Sequence, residues 1–145
     1  MHRLRRLIFT VAVVACGRSA TGGSTPNLAG SWSGTISSAT AGSGTLSFTM
    51  TQRGLALLPP GVGVEGELTG TWSTSFSSTA SDGSGTLSGS VYGSDVSISF
   101  TPNVPGSCPF TMTGTAAGAS AINGTYVSTN CTVASSGTIM AKKQS

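Results

Sequence analysis

Ionisable side chains are scarce in this chain of 145 residues. Charged residues make up 8% of it, whereas about a quarter is usual in globular proteins. The four carboxylates, Glu65, Glu67, Asp82 and Asp95, do not have the spacing of a calcium loop. Glu65 and Glu67 are two apart, as an acid–base pair on one strand face would be, but a solvated pair beside a turn explains them better. We therefore expect that the protein is not an enzyme and that it binds no metal ion and no cofactor.

Long apolar runs and helix-forming composition are also lacking. No run approaches the roughly 20 apolar residues that a membrane-spanning helix needs, and low charge argues against a helical bundle or coiled coil. Ser (25), Thr (21) and Gly (21) together supply 67 residues. The mean hydropathy is nevertheless positive, at +0.19, which argues against a disordered solvating chain. This composition favours a many-stranded antiparallel β domain.

The N-terminal segment has the layout of an export signal. Three arginines within the first six residues precede a nine-residue apolar run at 7–15, the length of a signal-peptide core. The run ends in Val13-Val14-Ala15-Cys16, which resembles the lipobox of bacterial lipoproteins. The resemblance implies that residues 1–15 are removed, that Cys16 carries a diacylglycerol, and that its new amino group is acylated (the palmitate class of modification). The alternative is ordinary signal cleavage nearby, with Cys16 unmodified.

Removal of the first 15 residues changes the charge balance. Of the seven Lys and Arg, three are removed and four remain, against four Asp and Glu, so the side-chain net charge is zero. No basic patch remains for nucleic acid. His2, the sole histidine, also leaves, which excludes Ser-His-Asp and Cys-His catalysis from the processed chain. Gly17 after the cysteine is typical of outer-membrane lipoproteins, so we expect a lipid-anchored protein of the bacterial cell envelope.

The rest of the chain divides into a tether and one domain. Residues 16–29 combine the lipidated cysteine with a small, polar, aperiodic segment that predicts a flexible tether. From residue 30 to 143, short runs alternate apolar with Ser or Thr residues, which predicts half-buried antiparallel strands. Eight strands are predicted, at 31–38, 44–53, 66–77, 85–92, 95–101, 108–117, 120–129 and 131–142.

Short connections make consecutive strands neighbours. Eight such strands predict an all-β, eight-stranded antiparallel up-and-down β-barrel, which leaves no exposed edge. A two-sheet β-sandwich is the alternative. The larger residues assigned to the barrel interior are Trp32, Phe48, Trp72, Phe100, Phe110 and Tyr126.

Glycines recur on the same inward faces, at positions 34, 70, 89, 114 and 124. They either let the sheet coil tightly around a filled core, or leave a cavity for a small apolar ligand. We favour a filled or nearly filled interior.

Cys108 and Cys131 form an even pair once Cys16 is lipidated, and export favours a disulfide between them. In the predicted meander both begin strands at one end of the barrel, two strands apart. Regular strands would hold their Cα atoms about 9–10 Å apart, which is too far for a disulfide. We therefore expect the adjoining loops to curl inward.

The domain opens with Asn27-Leu28-Ala29-Gly30-Ser31-Trp32, which resembles the Gly-x-Trp opening of the calycin group, including lipocalins and avidin-like proteins. The resemblance implies that Trp32 plugs the closed end of the barrel and that Lys142 or Lys143 covers it. The resemblance does not extend to a biotin-site pattern or to the terminal helix of full-length lipocalins.

The connection at 54–66 is unusually long and apolar. Leu55, Leu57 and Leu58 either enter the membrane surface, with Lys142 and Lys143 beside them, or fold over the barrel as a lid.

Two functions remain open. In the first, the barrel binds a small apolar molecule or peptide, which enters between residues 78–85 and 102–107. In the second, the chain is a structural surface protein with a filled core that contacts an envelope protein or glycan. The sequence does not fix the oligomeric state.

Overall fold

The computed structural model describes residues 25–54, 65–77, 81–128, 131 and 134–145. The expected signal peptide, Cys16 and most of the tether lie outside the described residues. So does the loop bearing Leu55, Leu57 and Leu58. Among the residues described, no helix is long and apolar enough to cross a membrane.

The described residues form eight strands that pair in chain order. They are β1 (Gly30–Ser38), β2 (Gly42–Gly54), β3 (Glu65–Phe76), β4 (Gly83–Tyr92), β5 (Asp95–Pro102), β6 (Phe110–Ala117), β7 (Ala121–Ser128) and β8 (Ser136–Lys143). Every neighbouring pair is antiparallel, and β1 pairs with β8 to close the barrel. The predicted fold is therefore confirmed, and the sandwich alternative is wrong, because closure leaves no second sheet.

Each strand directs apolar side chains inward and hydroxyls outward. Along β2, for example, Leu46, Phe48 and Met50 are buried, while Thr45, Ser47 and Thr49 between them are exposed. Outward hydroxyls also meet across strands: Thr51 lies 2.9 Å from Thr69, oxygen to oxygen. The two-residue period of a strand thus converts the sequence alternation into one core and one hydroxyl-covered surface.

The inward glycines mark places where neighbouring strands come very close. A Cβ on Gly34 would overlap the carbonyl oxygen of Met140, and one on Gly70 would overlap that of Thr49. The space beside these glycines is therefore taken by backbone rather than left empty. This favours the first interpretation of the glycines, in which they let the sheet coil tightly.

One end of the barrel is closed by the residues that precede β1. Leu28 is fully buried, and its backbone N–H donates to Oε1 of Gln52 at 2.6 Å. Nε2 of Gln52 in turn donates to the Pro26 carbonyl at 3.1 Å. The composition assigned residues up to 29 to a flexible tether, whereas Leu28 is part of the core. A lone apolar residue has no periodicity to reveal that it is buried.

Trp32 lies at this closed end, as the calycin resemblance implies. Its ring is 1% exposed, and Nε1 donates to the Leu28 carbonyl at 2.9 Å. Of the two lysines proposed as a cover, Lys143 has this position. Its Nζ is 6.0 Å from the ring centroid and donates to the Asn27 carbonyl at 3.3 Å. The indole is thus held by the segment before β1 and by the last residue of β8.

Candidate ligand-binding site

The opposite end of the barrel contains the disulfide. Cys108 and Cys131 are bonded, with their Cα atoms 5.5 Å apart. Both residues precede the strands that they were predicted to begin, since β6 starts at Phe110 and β8 at Ser136. The cysteines therefore lie in connections and not in regular strands, which explains how they come within bonding distance. By loop-closure entropy, a bridge over 23 residues contributes about 3 kcal/mol.

A cavity of about 460 Å³ opens at this end of the barrel. Volumes of this size are at the lower end of the range for small-molecule sites. Trp72, Phe110 and Tyr126 form part of its wall, together with Ile36 and the half-buried Phe76. We call this space the mouth cavity. The inward side chains of the described strands form one buried hydrophobic cluster, as a nearly filled interior requires.

The aromatic rings connect the closed end to the mouth cavity. All six rings assigned to the interior are buried, between 0% and 9% exposed. Trp32 stacks on Phe48 at 6.0 Å between centroids, Phe48 meets Phe100 edge-on, and Phe100 stacks on Phe110 at 4.4 Å. Trp72 and Tyr126 both meet Phe110 edge-on. Mutual contacts of this kind hold each ring in one position, so the cavity has a preformed aromatic wall.

Polar groups surround the rim of the mouth cavity. Hydroxyls of Ser38, Thr40 and Ser135 form one cluster, with oxygen–oxygen distances of 3.0–3.3 Å. Across the mouth, the Phe76 backbone N–H donates to Oδ1 of Asp82 at 2.6 Å. The sequence around Asp82 does not predict this position. Its position on the cavity depends on how β3 and β4 pair, which no local pattern encodes.

The proposed entrance segments do line the cavity in part. Asp82 and Gly83 contribute from one segment, and Pro102 and Ser107 from the other. Residues 78–80 of the first segment lie outside the described part of the chain. Within the part that is described, no group of His, Cys, Asp or Glu is arranged to hold a metal ion.

Comparison with known proteins gives a fold and no family. No family model matches the chain, and no curated protein matches it. A solved structure described as "EF1p2_mFAP2b bound to DFHBI" matches with a TM-score of 0.52 at 11% sequence identity. The match covers 81% of this chain and 94% of that one. At this identity the likeness shows the fold alone, an eight-stranded antiparallel barrel of lipocalin-like type.

Proposed function

We propose that this protein is a bacterial lipoprotein that binds a small, mainly apolar molecule in the mouth cavity. One observation carries the binding proposal: a barrel packed at one end opens at the other into about 460 Å³ lined by Trp72, Phe110 and Tyr126. The similar solved barrel has a small molecule bound, which supports binding as a use of this architecture. The scarcity of ionisable groups supports binding rather than catalysis.

The lipoprotein part of the proposal depends on the sequence. Its support is the run of residues that ends in Val13-Val14-Ala15-Cys16. Acyl chains on Cys16 would hold the barrel at the cell envelope, since each buried methylene contributes about 0.8 kcal/mol. Because Trp32 and Lys143 are at the end where the described chain begins, the tether would leave from the closed end. The mouth would then be at the end farther from the tether, accessible to solutes or envelope partners.

An apolar dye that fluoresces in dry surroundings tests the binding proposal. We expect saturable binding of a naphthalene dye, and loss of most of it in Thr74→Phe, because Thr74 faces the cavity and is 8% exposed. Ser75→Phe is the matched control, since it puts the same ring on the exposed face of the same strand. Non-saturable dye uptake, or equal binding by both variants, would favour a surface-interaction protein without a small-molecule site.

Anchoring is tested separately by Cys16→Ser in a bacterial host. We expect the unaltered protein to incorporate labelled fatty acid and to fractionate with membranes. The Cys16→Ser variant should incorporate none and appear in the soluble envelope fraction. Cys108→Ser serves as a control for general effects of replacing a cysteine, because it breaks the disulfide and leaves Cys16 unaltered. Unchanged labelling of Cys16→Ser would overturn the lipoprotein proposal and leave the binding proposal intact.

A further inference from the structure

The distribution of charge around the barrel is uneven. Among the described residues, the cations are Arg53, Lys142 and Lys143, which lie where β2 ends and β8 ends, at the closed end. Glu65, Glu67 and Asp95 lie at the same end, at the start of β3 and of β5. Asp82 is the one described carboxylate at the mouth. Its negative charge therefore faces the cavity without a cation among the described lining residues.

Local hydrogen bonds hold the Asp82 carboxylate in place. The Phe76 N–H donates to Oδ1, which joins the carboxylate to the last residue of β3. Thr74, on the same strand, donates from its hydroxyl to the Gly83 carbonyl at 3.5 Å. Asp82 is therefore near Trp72, because a Cβ added to the adjacent Gly83 would lie 3.1 Å from the Trp72 ring. Because Asp82 and Trp72 line the same cavity, one ligand can contact both the carboxylate and the indole.

A second polar residue lines the cavity. Tyr126 is 5% exposed and forms part of the wall, so its side chain contributes both an aromatic ring and a hydroxyl there. A phenol can pack against a ligand ring and exchange a hydrogen bond with a polar group of the ligand.

We infer that the mouth cavity selects a compact aromatic cation: one or two rings that carry an ammonium group. The inference rests on the proposed function and specifies its ligand class. The rings pack against Trp72, Phe110 and Tyr126, and the ammonium group lies toward Asp82. Electron-rich ring faces and a carboxylate both attract a cation. The same carboxylate repels an anion, and it has no charge–charge attraction for a neutral ligand.

Three naphthalene ligands of nearly equal size test this selection: 2-naphthylmethylammonium, 2-naphthylmethanol and 2-naphthoate. Their affinities for the purified, disulfide-bonded protein are measured by calorimetry or by displacement of the dye. We expect the cation to bind most tightly and the carboxylate most weakly. In Asp82→Asn, the ratio of cation to alcohol affinity should fall about two- to fivefold, the effect of one charge pair at an exposed carboxylate. The affinity of the alcohol itself should stay the same.

Glu67→Gln is the matched control, because it removes the same charge from an exposed position near the closed end. The affinity ratio should be unchanged in that variant. Equal affinities for all three ligands, or an undiminished cation preference in Asp82→Asn, would overturn this inference while leaving the proposed function standing. If none of the three ligands binds, the proposed function itself fails.

Discussion

A single apolar side chain ahead of the first strand, Leu28, joins the segment before β1 to the barrel core. Leu28 is fully buried, accepts the Trp32 indole N–H at its carbonyl, and is bonded through its N–H to Gln52. Trp32 is in turn covered by Lys143 near the end of the chain. Removal of the Leu28 side chain would therefore leave a cavity next to a ring that is held both by the segment before β1 and by the end of β8.

We expect Leu28→Ala to lower the free energy of unfolding by about 2–4 kcal/mol, because truncating a buried leucine loses transfer free energy and leaves a cavity. Val127→Ala is the control, since that side chain is 54% exposed and its truncation should cost less than about 1 kcal/mol. Urea unfolding followed by tryptophan fluorescence measures both. A Leu28→Ala loss no greater than that of Val127→Ala would show that the segment before β1 does not contribute to the core.

The same residue shows where sequence reasoning ends. Trp32 could be placed inside because its neighbours alternate, and because Gly-x-Trp resembles a known opening. Leu28 lies among Pro26, Asn27 and Ala29, a group without a period, so composition alone suggested a tether. Burial at such a position comes from tertiary contacts, here Gln52 of β2, which are distant in sequence.

At the scale of the strands, alternation predicted the number, order and inward faces of the elements. Their ends were less predictable. Cys108 was placed in a strand because apolar and hydroxyl residues follow it, but the chain pairs with its neighbours only from Phe110 onward. A strand ends where its backbone no longer has a hydrogen-bonding partner. Because those partners belong to other strands, the local sequence does not show where a strand ends. An entrance at the mouth end of the barrel, between residues 78–85 and 102–107, was one of the two sequence-based alternatives. The volume behind it could not be predicted, since it depends on how far each strand extends past its neighbours.

The close approach of β2 and β3 at Gly70 predicts the effect of adding a methyl group there. Gly70→Ala places a methyl group against the Thr49 carbonyl of the paired strand, and backbone in a ladder has little room to shift. We expect a loss of about 1–3 kcal/mol in unfolding free energy, as for other overpacked sites. Gly54→Ala is the control, because a Cβ there meets nothing within 4 Å. If both variants lose the same amount in urea unfolding, crowding between β2 and β3 does not explain the glycine.

For the whole molecule, the structure depends on closure of the sheet into a barrel. Each strand is paired on both sides, and β1 with β8 is the pair that joins the two ends of the chain. One aromatic cluster connects Trp32 at the closed end with Tyr126 at the mouth. The closed end and the mouth therefore share one core. If β1 and β8 no longer pair, we expect side-chain packing to be lost at both ends.

Thr138→Pro tests this. Thr138 lies between Ser37 of β1 and Thr125 of β7, so a proline there removes an N–H donor from the interior of a strand that is paired on both sides, a position that excludes proline. We expect the near-ultraviolet circular dichroism of the tryptophans and dye binding at the mouth to be lost together. Ser145→Pro, beyond the last strand, should change neither signal. Retention of dye binding by Thr138→Pro would mean that the mouth holds its shape without β8, and that the barrel is not one cooperative unit.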